Sequence, residues 1–238
     1  MSYFIFNGKS SKDFGVRIQS KNIYSTPKYD VTLITIPGRN GELVSPNGRF
    51  SNVAVSYNCY LPAKSIAELG EKITAVKNWL YKDVGEYHDL TDGYDGKFIR
   101  KALFNSKLDI SDECRKIGTF NISFSCKPFR YLKEGLLIST YTVPFTLNNP
   151  FSFNSKPYFR INGKGKGTLT INNKVWSFET INGYTECDSE LMNFYHDTVL
   201  KNDTVTGEGF PELELGENKV SFDGGIVSVQ VIPRWCML

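Results

Sequence analysis

Apolar and polar residues alternate most cleanly along residues 53–61. Val53, Val55, Tyr57, Cys59 and Leu61 share one face of an extended chain, and Asn52, Ala54, Ser56 and Asn58 share the other, which predicts a half-buried strand. Residues 119–126 repeat the pattern, with Phe120, Ile122, Phe124 and Cys126 inward and Thr119, Asn121, Ser123 and Ser125 outward. Between these segments the period changes. Ile66, Leu69, Ile73, Val76 and Leu80 recur at spacings of three and four and form one apolar stripe, with Trp79 at its flank. Ser65 and Glu68 stand at its start as a capping box, so the spacing predicts a helix over 65–81 packed on a sheet.

Turn residues mark the connections. Asp92-Gly93-Tyr94-Asp95-Gly96 separates two β-like runs between Tyr87 and Phe104 and predicts a hairpin turn. Turn signals are densest between Pro37 and Gly48: Pro37-Gly38 suits a type II turn, Asn40-Gly41 a type I′ hairpin, and Pro46-Asn47-Gly48 a further turn. This stretch predicts an exposed, turn-rich hairpin arm between strands near 31–36 and 51–61. After Arg130 helical periodicity disappears and short β runs follow, around 157–162, 168–172, 175–181, 219–222 and 226–232, with Asn172-Asn173 as a tight turn. Gly163-Lys164-Gly165-Lys166-Gly167 is expected as a hairpin loop. The expected class is mainly β: an N-terminal β-sandwich with one α-helix and the hairpin arm, then a second β-sandwich or jelly roll. The boundary is expected near 131–136, dividing domain 1–132 from domain 133–238.

Composition supports the sheet reading. Aromatics make up 14% of 238 residues, with 17 Phe and 13 Tyr, and such side chains suit a pleated, half-buried surface. The net charge of +3, from 28 basic and 25 acidic residues without a basic run, argues against a nucleic-acid-binding face. No window approaches a membrane span, and the opening lacks a basic leader ahead of an apolar stretch, so a soluble protein made in a cytoplasm is expected. Cys59, Cys114, Cys126, Cys187 and Cys236 are odd in number and without a CxxC pair, and are expected as reduced thiols.

Little in the chain resembles catalytic or metal chemistry. The two histidines, His88 and His196, each precede an aspartate, Asp89 and Asp197, but lack a nucleophile in a supporting context and read as surface or sheet-face residues. Asp92 and Asp95 lack the further ligands of a calcium loop. The glycines of 163–167 are not followed by a helix that would make a phosphate site. No carboxylate pair stands out for glycoside hydrolysis. No catalytic residue, metal or cofactor is therefore expected. Trp176, Phe178 and Tyr184 could form a sugar-stacking platform, although alternating aromatics in a sandwich are more often core. What remains is assembly through free strand edges and the arm.

Several segments resemble one family. Tyr3-Phe-Ile-Phe-Asn-Gly8 with Asp13-Phe-Gly15, Pro37-Gly-Arg-Asn-Gly41 and Cys126-Lys-Pro-Phe-Arg130 are similar to the siphophage distal tail protein (Dit) family. So are Thr168-Leu-Thr-Ile-Asn-Asn173, Asp188-Ser-Glu-Leu-Met192, Gly216-Glu-Asn218 and Ile232-Pro-Arg-Trp235, in the expected order; Cys236 departs from the basic residue usual after the Trp. The resemblance implies a virion structural protein of the tail tip, assembled in the bacterial host cytoplasm. It implies a homo-hexameric ring whose N-terminal domain builds the ring and whose galectin-like C-terminal domain docks other parts. The implied partners are the tail tube protein, the tape measure protein, the tail-associated lysin or fibre, and receptor-binding or baseplate proteins, with DNA passing through the channel without specific binding. Pro37, Gly38, Arg39, Asn40, Gly41, Pro46, Asn47 and Gly48 are the expected inter-subunit arm, Gly38 and Gly41 setting its turns and Arg39 pairing with a neighbour's carboxylate. The alternatives are a carbohydrate-binding module recognising host cell-wall glycans and a wall-cleaving enzyme.

Overall fold

The computed structural model describes residues 3–113 and 115–238; Cys114 lies outside the described residues. The chain divides into two compact units, one running to Arg130 and including Leu238, the other Tyr131–Met237. Both are built almost entirely of antiparallel strands, so the mainly-β class holds.

The first unit contains β1 (Phe4–Phe6), β2 (Lys9–Ser10), β3 (Arg17–Asn22), β4 (Tyr29–Thr35), β5 (Glu42–Phe50), β6 (Val53–Pro62), α1 (Ile66–Leu80), β7 (His88–Asp92), β8 (Phe98–Leu103), β9 (Ile110–Glu113) and most of β10 (Ile117–Leu132). Its main sheet runs β2-β1-β7-β8-β10-β6-β3, with β9 added to β10. The two strands with the cleanest alternation are neighbours: β6 and β10 pair from Ile117↔Pro62 to Cys126↔Val53. Their inward residues Val55, Tyr57, Leu61, Ile122 and Phe124 are buried.

Helix α1 covers this face. Ser65 Oγ accepts from Glu68 N–H at 3.2 Å, but the Glu68 carboxylate reaches back to Lys64 N–H at 2.8 Å, one residue before the cap. Leu69, Val76, Trp79 and Leu80 are buried; Ile66, expected in the stripe, is 61% exposed. Gly118 on β10 lies beneath the helix, where a Cβ would press on Ile110 Cγ2 at 3.2 Å and touch Leu69 Cδ1 at 3.4 Å. Trp79 donates from Nε1 to Phe6 O at 3.1 Å and stacks on Phe14 at 4.4 Å. Burying each of these large side chains stabilises the unit by about 1.5–3 kcal/mol.

The second unit contains β11 (Ser139–Tyr141), β12 (Phe145–Asn149), β13 (Tyr158–Ile171), β14 (Lys174–Asp188), β15 (Asn193–His196), β16 (Val199–Leu200), β17 (Val205–Thr206) and β18 (Gly216–Ile232). The short runs expected from the sequence are parts of three long strands. β13 pairs with β14 and with β18 along nearly its whole length, with register shifts between Asn162 and Gly167. One half of this trio carries β11, β15 and β16, and the other half carries β12 and β17.

The segment Gly163–Gly167 is therefore not a hairpin loop. It lies inside β13, at the irregular middle of the trio. Glycine is required there by close backbone approach: a Cβ on Gly163 would lie 2.2 Å from Gly225 O, and one on Gly225 2.0 Å from Lys164 O. Phe159, Ile161, Leu169, Trp176, Phe178, Val229 and Val231 fill the core. Buried Asn218 is fully partnered, accepting from Glu214 N–H and donating to Glu214 O and Gly216 O.

Candidate functional site

Strands β4 and β5 pair only with each other and form a two-stranded sheet of their own. At the tip, Pro37 and Gly38 occupy the centre of a turn closed by Arg39 N–H to Ile36 O at 3.2 Å, and Gly38 takes the left-handed backbone (φ 77°) that the position needs. The expected Asn40-Gly41 type I′ turn does not form. Gly41 is left-handed (φ 79°) but Asn40 is not, and the last strand pair is Thr35↔Glu42, so the connection spans residues 36–41.

Pro46-Asn47-Gly48 is a second departure. These residues lie within β5 and not in a turn. The register jumps from Val31↔Pro46 to Tyr29↔Phe50, so residues 47–49 bulge opposite Asp30. Proline lacks the ladder donor and is tolerated at such a place, and Gly48 supplies the left-handed residue of the bulge (φ 68°). Asp30 holds the bulge: it accepts from Asn47 Nδ2 at 3.1 Å and Arg49 Nε at 2.7 Å. The Asn47 bond first, and Arg49 with it, hold its carboxyl below the usual value. Tyr29 packs edge-on against Phe50, and Phe50 against Phe129, at the base.

The outer part of the hairpin has an unusual surface. Leu33 pairs with Val44 and Ile34 with Leu43. Consecutive residues point to opposite faces of a ladder, so each face carries one apolar cross-strand pair. Leu33 is 53% exposed, Val44 57%, and Ile34 and Leu43 44% each. Isolated two-stranded hairpins are marginal in water, and an apolar pair on each face calls for cover on both. The expected arm residues Pro37, Gly38, Arg39, Asn40, Gly41, Pro46, Asn47 and Gly48 shape this hairpin, and all are exposed. Turn signals pointed to its tip and missed Leu33, Ile34, Leu43 and Val44. The signal was present as a run of β-branched residues and Leu33 from Val31 to Ile36, followed by Leu43-Val44. The Arg39 guanidinium makes no ion pair among the described residues.

The other candidates resolve into structural roles. His88 and Asp89 point apart: His88 Nε2 meets Asp83 O at 3.0 Å, whereas Asp89 pairs with Lys101 at 2.6 Å. His196 is held by Tyr184 O at 2.7 Å from Nδ1 and lies 3.7 Å from Asp197. Asp92 closes its own turn by accepting from Tyr94 and Asp95 amides and from Tyr57 Oη, and Asp95 pairs with Arg130 at 2.7 Å. No metal-holding cluster occurs among the described residues. The aromatic platform fails as a unit: Trp176 is 1% and Phe178 2% exposed, because both alternate into the core. Tyr184 alone faces outward, stacked between Arg160 and His196 and donating to Asp197.

No family model matches the sequence, and no curated protein matches it. Solved structures do. The SPP1 Dit (gp 19.1) protein, described as a paradigm of the hub adsorption apparatus in phages infecting Gram-positive bacteria, matches with a TM-score of 0.75 at 12% identity, over 97% of each chain. A chain of the phage p2 baseplate in its activated, strontium-bound conformation matches with a TM-score of 0.51 at 7% identity, over 97% of this chain and 98% of that one. The fold is thus that of the SPP1 Dit protein, shared over 97% of each chain.

Proposed function

We propose that this chain is a structural hub of a siphophage tail tip. Copies close into a hexameric ring that links the tail tube to the tail-associated lysin or fibre and to receptor-binding or baseplate proteins. The tape measure protein and DNA pass through its channel. In this reading residues 1–132 build the ring, residues 133–238 form a galectin-like docking domain, and the protein acts in the virion without catalysing a reaction. Likeness to the SPP1 and p2 chains supports the class.

The β4–β5 hairpin carries the reading. It has two free edges and an apolar pair on each face, and a neighbouring subunit covers them by strand pairing and burial. A hairpin that reaches a different patch on the next copy makes a heterologous contact, and such contacts close into a ring when their rotation permits. Arg39 at the tip pairs with a carboxylate of that neighbour.

The test is the mass of the full chain by light scattering, alone and mixed with its tail tube protein, followed by imaging. Rings are expected with the natural hairpin and their loss when residues 36–41 are replaced by a two-residue turn and Leu33 and Val44 by serine. Rings that persist in that variant, or no assembly in either setting, overturn the reading.

A further inference from the structure

The irregular middle of the second unit borders a hollow of about 420 Å³, lined by Lys166, Gly167, Thr168, Ser177, Phe178, Glu179, Thr206, Asp223 and Gly224. The register explains its lining. Asp223 stands opposite Thr168, Thr168 opposite Ser177, and Ser177 opposite Thr206. Four adjacent strands, β18, β13, β14 and β17, therefore present one polar residue each in a single row. At the usual strand spacing the row spans about 14 Å. Lys166 and Glu179 flank it. The inward neighbours Leu169, Trp176 and Phe178 are core, so the row lies on the opposite face.

These groups are uncommitted. Lys166, Thr168, Ser177, Glu179 and Thr206 make no side-chain hydrogen bond or ion pair among the described residues, and Asp223 accepts only from Gly224 N–H through Oδ1. This sets them apart from Tyr184, Asp188 and Asn218, whose polar atoms are engaged. Gly167 and Gly224 border the hollow at a close approach of β13 and β18: a Cβ on Gly224 would lie 2.8 Å from Lys166 O, and one on Gly167 2.6 Å from the buried Ile226.

We infer that this row is a binding site for a short glycan. Hydroxyls that both donate and accept match sugar hydroxyls, a carboxylate accepts from two adjacent hydroxyls, and Lys166 donates to a ring or hydroxyl oxygen. Two carboxylates against one ammonium disfavour a phosphate or another anion. The hydroxyls and charged groups of the row are the hydrogen-bonding partners that the lining offers a ligand. The span suits an oligosaccharide rather than a single sugar. This site shares no residue with the β4–β5 hairpin and goes beyond the hub reading.

The test uses the full chain on an array of bacterial wall polysaccharides and defined oligosaccharides, with titration calorimetry on any hit. Binding is expected, weakened at least tenfold in S177A/T206A and in E179Q, and unchanged in Y184F, with thermal melting of all variants close to wild type. T168V provides a second variant should S177A/T206A melt early. No glycan bound by the wild type, or binding indifferent to the row variants, overturns the inference. So does a row variant that loses self-association or tail-protein binding in place of glycan binding. Ring formation is scored on the same samples, so loss of the hub reading and loss of this one register separately.

Discussion

Arg234 and Asp188 meet as a bidentate pair, Nη1 to Oδ1 at 2.7 Å and Nη2 to Oδ2 at 2.8 Å. Asp188 ends β14 and Arg234 follows β18, so the pair ties together segments far apart in sequence. Asp188 Oδ1 also accepts from the amides of Glu190 and Leu191 and shapes the turn after the strand. Both side chains are mostly buried. Removing one partner strands the other, and Arg234→Ala is expected to destabilise the second unit by about 3–5 kcal/mol, read by urea unfolding. Burial pushes the Asp188 carboxyl up, but the bonds and charge of Arg234 outweigh this, and the net shift is downward. A depressed carboxylate contributes stability that is present above its unfolded value of about 4 and is lost as pH falls through the lower folded value. Unfolding at pH 7 and at pH 3 is therefore expected to show a steeper acid loss in the wild type than in D188N.

The close approach of Gly163 and Gly225 makes a sharper claim. A Cβ at either position meets backbone oxygen, which cannot swing aside as a side-chain tip can. G163A and G225A are each expected to cost several kcal/mol or to prevent folding of the second unit. Ala at Gly165, which has open space around it but a left-handed backbone (φ 84°), is expected to cost about 1–2 kcal/mol. Equal melting temperatures for all three variants would refute the close-approach account.

The same glycines show where the sequence was legible and where it was not. β6, the inward face of β10 and α1 announced themselves because each buries one face locally, and burial leaves a period in the chain. Pro37-Gly38 announced its turn because the backbone angles depend on those two residues alone. Gly163–Gly167 misled, since glycine in a loop and glycine at an irregularity between paired strands look alike until the partner is known, and here the partner is Gly225, some sixty residues on. Pro46-Asn47-Gly48 misled for the same reason: its bulge is defined by Asp30 on the opposite strand. The row Asp223, Thr168, Ser177 and Thr206 was invisible, because only register brings four separate segments into line.

Burial pushes the thiols of Cys59, Cys126 and Cys187 up to about 12 and that of Cys236 to about 11. A buried acid favoured in its neutral form contributes stability below its unfolded value, near 8.5, and loses it as pH rises toward the folded value. Stability is expected to decline between about pH 8.5 and 11. In a C114S background, iodoacetamide at pH 8 is expected to modify these four thiols slowly in the native protein and rapidly in urea, followed by mass spectrometry. Rapid labelling of native Cys59 or Cys126 would contradict their burial.

The hairpin offers a prediction that separates folding from assembly. Leu33 with Val44 and Ile34 with Leu43 occupy opposite faces, and about half of each side chain is already in water. Polar substitution there removes only part of each side chain's burial within one subunit, so L33S/V44S and I34S/L43S are each expected to lower the stability of the isolated chain by about 1 kcal/mol, read by urea unfolding. Assembly is different. If a neighbour covers both faces, each side chain gains about half of the roughly 1.5–3 kcal/mol of full burial at every contact, the serine variants lose it, and the ring repeats that loss around its circumference. Each double variant alone is then expected to abolish rings that form at the same concentration from the wild type. Should only one pair matter, the hairpin lies flat on its neighbour with one face in solvent. Should neither matter, with the chain still folded, the apolar pairs serve no subunit contact and the arm assignment fails.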